Sequence, residues 1–392
     1  MTTKPSVFKI KKDGLKKPFL FKNSSPADLP LTITVVILAL FGTLMVFSAG
    51  HAYAYARYND GSYFMKRQVL WLAVGLIAMY ITSHIKPSFY ESISTVIYLV
   101  TLILLLLVLV IGFVGNGAKR WISIGPLTIQ PSEIAKIAIV LILAKYFSEY
   151  EKLALEQKNK KFILSYGTLF PILLMLIPIV LVMLQKHLSC IIILGLLGLL
   201  MIVGGGANLR YIGAFCGVGG GAVTAFALLT DYTKERITVW QNPELYKLTG
   251  GWQTLQGLMA IGSGGLFGVG FGNSVMKHCY VSEPANDMIF AILCEELGLV
   301  GAAFTLLLFG FLIFRGYIIA TRSSDVFSRL VAFGISTKMA IQVLLNIAVV
   351  TNTIPNTGIS LPFFSYGGSS LIMIFVEMGI LLSISRFSKI TK

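Results

Sequence analysis

Apolar runs recur along the chain from Leu31 to its C-terminus, each closed by a short polar stretch. Their length, about 20 residues, is what a helix needs to cross the hydrocarbon core of a bilayer. They fall near 31–49, 68–85, 90–114, 132–148, 163–184, 187–205, 210–229, 288–314, 328–350 and 366–385. This pattern predicts an all-α polytopic membrane protein with ten transmembrane helices. The fourth run is interrupted in its first turn by Glu133 and Lys136. Between the seventh and eighth lies a connection, 230–286, far longer than the others, and loops of that length are functional or disordered. Trp240, Tyr246, Trp252 and its dense glycines favour order at an interface.

Composition agrees with lipid as the solvent: 56% of the residues are hydrophobic and 12% charged, about half the charge of a soluble domain. The charge is basic, 32 Lys and Arg against 17 Asp and Glu, and topology accounts for most of the excess, so nucleic acid is not an expected partner. With the N-terminus inside, the inner segments hold twenty Lys and Arg, seven of them in the first 28 residues. The outer loops hold ten: Arg57, Lys66, Arg67, Lys119, Arg120, Lys186, Lys234, Arg236, Lys247 and Lys277. The positive-inside rule therefore places both termini in the cytoplasm. Residues 1–28 read as a basic cytoplasmic tail without a signal-peptide core, 29–388 as one membrane domain in which 230–286 is extracellular, and 389–392 as a cytoplasmic C-terminus.

Acidic residues are few enough to weigh singly, and chemistry on the outer side can draw only on Asp60, Glu133, Asp231, Glu235, Glu244, Glu283 and Asp287. Asp287 opens the eighth span after Ser282-Glu283-Pro284-Ala285-Asn286. It suits a charge complementing the helix dipole as well as a catalytic carboxylate at headgroup height. Glu133 and Lys136, spaced i,i+3, share a helical face, as a functional intramembrane pair or a structural one. Lys119 and Arg120 precede Trp121, where they can grip a lipid phosphate or anchor a helix end. Glu295 lies about 80° around the helix from Asp287 and Glu296 nearly opposite, so both are expected to pack against neighbouring helices. The run Gly262–Gly272 has neither phosphate-binding spacing and suits close backbone packing or approach to a lipid substrate. His187 and His278 are isolated, and the four cysteines form no metal spacing, so no protein-only metal cage is expected.

Several runs together carry a family resemblance. These are Gly117-Ala118-Lys119-Arg120-Trp121, Gln130-Pro131-Ser132-Glu133-Ile134-Ala135-Lys136, Ala260-Ile261-Gly262-Ser263-Gly264-Gly265-Leu266-Phe267-Gly268, Ile289-Phe290-Ala291 with Glu295-Glu296-Leu297-Gly298, and Leu361-Pro362-Phe363-Phe364-Ser365-Tyr366-Gly367-Gly368-Ser369-Ser370. They resemble the SEDS family (shape, elongation, division and sporulation) from about Leu31 to Phe387. Pro284–Asp287 and Val46-Phe47-Ser48-Ala49-Gly50 look more like its FtsW and SpoVE members than RodA.

The resemblance implies a peptidoglycan glycosyltransferase of the bacterial cell membrane, at the division septum or in the spore wall. It would polymerise lipid II into β-1,4 glycan on the outer leaflet, beside a class B penicillin-binding protein, other division or sporulation membrane proteins and membrane lipids. Asp287 matches the family's essential outward aspartate and would serve as the base of an inverting transfer. The leaving undecaprenyl diphosphate calls for positioned cations or a divalent ion, Mg or Mn, that the sequence does not locate. Arg120, Lys136, Lys277 and Arg236 are the candidate cations, with Lys119 and Glu133 beside them as substrate-binding residues. Many relatives carry Gln-Pro-Asp-Leu-Gly where this chain has Gln185-Lys186-His187-Leu188-Ser189, so that junction is read as structural here. Two rivals stay open: a lipid II flippase, which needs polar groups along a path through both leaflets, and a non-catalytic scaffold, which would tolerate Asp287→Asn.

Overall fold

Asp28 begins the first helix by accepting a hydrogen bond from the Leu31 amide (2.9 Å), with Pro30 in the first turn. The helix, α1 (Leu29–Tyr58), ends at Asn59, whose φ of 54° is left-handed. Its 30 residues extend about 45 Å, against a hydrocarbon core of about 30 Å. The computed structural model of the chain describes residues 26–115, 118–124, 127–156, 165–207, 213, 231–248, 250–278 and 280–387. After α1 come α2 (Tyr63–Ser83) and α3 (Pro87–Ile111), then a three-stranded antiparallel sheet, β1 (Phe113–Gly115), β2 (Ala118–Ile124) and β3 (Leu127–Ile129), in that order. The helices α4 (Pro131–Glu156), α5 (Phe170–Leu184, entered by a π-helical turn at Ser165–Leu169) and α6 (Leu188–Gly204) follow. Then come α7 (Asp231–Gln241), α8 (Trp252–Gly264), α9 (Ile289–Arg322), α10 (Val326–Val350) and α11 (Gly368–Phe387).

The fold is an all-α polytopic one, and seven described helices are long and apolar enough to cross a membrane: α1, α2, α3, α5 with its π-helical turn, α9, α10 and α11. The helix α6 is apolar but shorter, at 17 residues. The expected span at 210–229 lies outside the described residues except for Gly213. Three expectations need correction. The third span stops at Ile111, and the chain turns into a hairpin, so Lys119 and Arg120 stand on β2 and not at a helix end. The fourth helix runs on to Glu156. The 230–286 connection holds two helices, α7 and α8, and α8 packs on α9 through Gly257 and Gly264.

Charge interrupted the fourth run because α4 does not face lipid. Ile137–Ala144 and Phe147 are buried against α3, α6 and α10, so the charges of its first turns meet other helices. Outward faces are apolar, as at Ile103, Val110 and Leu307, which suits lipid contact.

The helix α9 is broken at Gly298 (φ 66°, ψ −165°), a conformation that side-chain-bearing residues essentially never adopt. In a continuous helix the Leu299 and Val300 amides would donate to the carbonyls of Glu295 and Glu296. Here they donate to Gly265 (3.0 Å) and Leu266 (3.1 Å), while the Val269 and Gly270 amides donate to the Glu295 and Glu296 carbonyls (3.0 Å each). Backbone groups left unmet at a break in a helix are costly where water cannot reach them, and the glycine-rich segment meets all four. Gly268 shows why glycine is needed: a Cβ there would strike the Glu296 carbonyl. The Gly262–Gly272 run is thus a splice for a broken helix, a form of the close backbone packing its glycines suggested.

Candidate active site

Asp287 sits two residues before α9 on a segment whose backbone is held carbonyl by carbonyl. Tyr366 N donates to Ala285 O (2.8 Å), Ser365 Oγ to Asn286 O (2.7 Å), and Asn346 Nδ2 of α10 to Asp287 O (2.9 Å). Asn346 also donates to Ile359 O (2.6 Å), and Leu361 N to Ser365 Oγ (2.7 Å). The Leu361–Ser370 motif therefore has a concrete task, fixing the two residues that precede one carboxylate, while Asn346 holds the carbonyl of Asp287 itself. Such support is what keeps a reacting group in place.

The carboxylate itself is partly buried. Gln253 Nε2 of α8 lies 3.5 Å from its Oδ1, and Gly358 (φ 68°) closes over Oδ2, where a Cβ would stand 3.5 Å away. Burial, reinforced by the nearby Glu283 carboxylate, pushes its pKa up to about 7. It can therefore take or give a proton near neutral pH, which a dipole-capping aspartate could not do so readily.

Beside it opens a cavity of about 290 Å³ lined by Arg236, Val239, Trp240, Gly250, Gln253, Thr254 and Asn356. Arg236 and Trp240 lie one turn apart on α7, and both reach the loop after α10: the Arg236 guanidinium donates to the Asn356 carbonyl, and Trp240 Nε1 to the Asn352 carbonyl (2.9 Å). Gln253 links the two parts, lining the cavity and touching Asp287. Of the residues picked from sequence, the structure brings Asp287 and Arg236 to one place.

Glu133 and Lys136 form a buried ion pair (2.7 Å), with Ser370 Oγ 3.3 Å from Glu133. Lys136 Nζ lies 3.4 Å from Gln342 Oε1, and Gln342 Nε2 donates to Ser360 O (3.0 Å). Gln342 and Asn346, four apart on α10, share a face, so the pair is coupled to the same loop that holds Asp287. A second buried pair, Lys338–Glu377 (2.9 Å), joins α10 to α11 and interacts electrostatically with the first. Both pairs are neutral as wholes, which is how charge persists in a bundle interior.

Arg120 donates to the Lys186 carbonyl (2.6 Å), and Lys186 has φ 54°. Next to it the buried His187 is held far below its ordinary pKa, at about 3, by burial and by the Arg120 charge, and its Nδ1 meets Ser132 Oγ (3.3 Å). At the Gln185–Ser189 junction Gln185 donates to Leu105 O (3.0 Å) and Ser189 Oγ to the Thr357 carbonyl. Lys119, next to Arg120 on β2, is exposed.

Lys277 departs from its expected role as a substrate cation. It is buried, and its Nζ bonds Glu296 Oε1 (2.9 Å), Ser48 Oγ (3.2 Å) and Gly272 O (2.6 Å). Glu295 accepts from Ser274 Oγ (2.5 Å) and from the Val275 (2.9 Å) and Met276 (3.3 Å) amides. The two carboxylates thus clamp the segment leading to Asp287: Glu296 also reaches Ser48 of α1, as packing against a neighbouring helix would have it, whereas Glu295 holds the loop 274–276 and not a helix. Among the described residues no three His, Cys, Asp or Glu side chains gather as a metal cage.

Fold and site together define a polytopic membrane protein with a partly buried carboxylate beside a cavity lined by an arginine. The chain belongs to the cell cycle protein family of FtsW, RodA and SpoVE, whose model matches residues 29–390. It is 39% identical to stage V sporulation protein E of Bacillus subtilis (strain 168), over 94% of this chain and 99% of that protein. It is 35% identical to the probable peptidoglycan glycosyltransferase FtsW of Trichlorobacter lovleyi, over 96% and 97% of the two chains. Among solved structures it resembles a chain of a peptidoglycan synthase complex that coordinates polymerization and crosslinking, with 26% identity, 92% and 98% coverage and TM-score 0.76. It also resembles the rod shape determining protein RodA of Thermus thermophilus, with 27% identity, 93% and 98% coverage and TM-score 0.67.

Proposed function

We propose that this chain is a peptidoglycan glycosyltransferase that polymerises lipid II into β-1,4 glycan strands. The observation that carries the reading is Asp287, held rigidly at the edge of the Arg236 cavity with a pKa near 7. In the reaction, the acceptor sugar's 4-hydroxyl attacks C1 of the α-linked donor. Asp287 takes the hydroxyl proton as the new C–O bond forms, the bond to the diphosphate breaks with its electron pair, and C1 inverts to β. A single base suffices, because no covalent glycosyl intermediate is made.

Negative charge then grows on the departing diphosphate, and Arg236 is the cation placed to meet it. Arg120 and Lys119 on the hairpin are suited to the lipid-borne phosphate outside the cavity. Glu133 and Lys136 act from below, by fixing the α10 face that carries Asn346. A divalent ion finds no three-carboxylate or histidine cage among the described residues, so no step is assigned to one. The protein works in the bacterial cell membrane at the septum or spore wall, both termini cytoplasmic, with a class B penicillin-binding protein crosslinking its product.

The test is glycan synthesis from labelled lipid II by the purified protein with its penicillin-binding partner, in wild type and Asp287→Asn. Polymer from wild type and none from an equally folded variant supports the reading. Equal polymer from both discards Asp287 as base. No polymer from either, with lipid II crossing liposomes, puts the flippase in its place.

A further inference from the structure

The proposed chemistry leaves unused an aromatic and basic ledge on the same side of the bundle as Asp287. The end of α1 and the start of α2 stack Tyr58 on Tyr63 (ring centres 4.0 Å apart, planes within 10°) and Tyr53 beside Phe64 (6.1 Å, 18°). The Arg67 guanidinium sits 4.5 Å from the Tyr63 ring centre, and Arg57 donates to the Tyr53 hydroxyl (2.8 Å). Tyr58 is 43% exposed, Tyr55 62%, and both arginines are exposed.

This ledge is continuous with the site. Phe64 packs on Tyr366 (4.7 Å), and the Tyr366 amide donates to Ala285, two residues before Asp287. Phe64 and Ala285 also meet over Gly50, where a Cβ would lie 2.9 Å from the Phe64 ring and 3.4 Å from Ala285 Cβ. A path of rings therefore runs from the carboxylate's own segment to open solvent.

We propose that the ledge binds the growing glycan strand, an oligosaccharide, and holds its finished sugars beside the reacting centre. This inference rests on the glycosyltransferase reading. β-1,4-linked amino sugars present flat C–H faces that suit aromatic rings and hydroxyl and amide edges that suit phenols. Arg57, Lys66 and Arg67, against Asp60, give the ledge an excess of positive charge, which complements the carboxylates carried along such a strand. An interfacial aromatic belt is the other use of such residues, with rings set singly among headgroups. Here they stack on one another and on a guanidinium, and they lead to the catalytic segment.

Tyr58→Ser and Arg67→Gln, both at exposed positions, test this in the full-length protein with its partner in liposomes. The strand-length distribution is read per lipid II consumed, and binding of a soluble, lipid-free tetrasaccharide of the same strand is read by calorimetry. Mean strand length is expected to fall about 2- to 10-fold, the range set by one lost aromatic contact, and tetrasaccharide binding to weaken in parallel. Unchanged length and unchanged binding overturn the inference. Poorer liposome insertion with unchanged length assigns the rings to a membrane belt and overturns it too. If the wild type makes no polymer, the glycosyltransferase reading fails by itself, and tetrasaccharide binding that wild type shows and the variants lose still supports the ledge, whereas its absence in wild type ends it.

Discussion

Replacing Lys277 with methionine separates a structural cation from a substrate cation. Lys277 is 5% exposed and Glu296 0%, so the substitution leaves a carboxylate in the interior to which, among the described residues, only Ser48 Oγ donates, at 2.6 and 2.7 Å. Removing one partner of a buried pair costs about 3–5 kcal/mol. That is a large part of a typical total stability of about 5–15 kcal/mol. Replacing both charges with apolar groups of similar size is often neutral. The double variant Lys277→Met, Glu296→Leu is therefore expected to regain most of what each single variant loses. The assay is a double-mutant cycle of unfolding in detergent, with lipid II polymerisation followed in parallel. If Lys277→Met keeps full stability, loses polymerisation, and is not rescued by the second change, the clamp is wrong and Lys277 meets substrate.

Other outcomes follow from the same geometry. For Asp287 to act as base it must be ionised, so kcat/KM should rise with pH through about 7. Glu283→Gln, which removes a neighbouring negative charge, should move that rise to lower pH, and a profile flat from about pH 5 to 8 would discard the base role. Because the folded pKa is raised, the protonated carboxyl's contribution to stability is present below about pH 4 and lost as pH rises through about 7. Asp287→Asn should abolish that slope in thermal unfolding. Arg236→Gln is expected to lower turnover about 10- to 100-fold, the loss of one charge-assisted contact, with fold intact by circular dichroism. Gly298→Ala forces a side chain into a strained backbone conformation costing about 1–3 kcal/mol, plus a collision with Gly268 and Leu266. It should lower the melting temperature, and an unchanged value would mean that α9 can close its break.

The spans were legible because a bilayer demands long apolar runs, and no soluble alternative imitates them. Helix α4 read poorly since its apolar residues face other helices rather than lipid. The β1–β3 hairpin left no signal, since strands of three, seven and three residues carry too few alternations to register. Asp287 stood out among seven outer acids only by its place at the start of the eighth span; its role came from the family resemblance, and its setting was not legible. Gln253 and Asn346, neutral amides, escaped notice, although Gln342 and Asn346 four apart in an apolar helix were a usable sign. Lys277 was misplaced because no local pattern says which outer lysine will reach the buried Glu296.

The splice at Gly298 constrains how this region can change length. Residues 265–270 and 295–300 are locked in register by four backbone bonds. Adding or deleting a residue within either stretch would shift every pairing and leave backbone donors and acceptors unmatched. Insertions and deletions are then tolerable only between the two locked stretches, in 271–294, or outside them altogether. Within 271–294 the Lys277 and Asp287 contacts narrow the choice further. A library of single-residue insertions across 262–302, scored for membrane accumulation, should show two sharply intolerant blocks separated by a more permissive one.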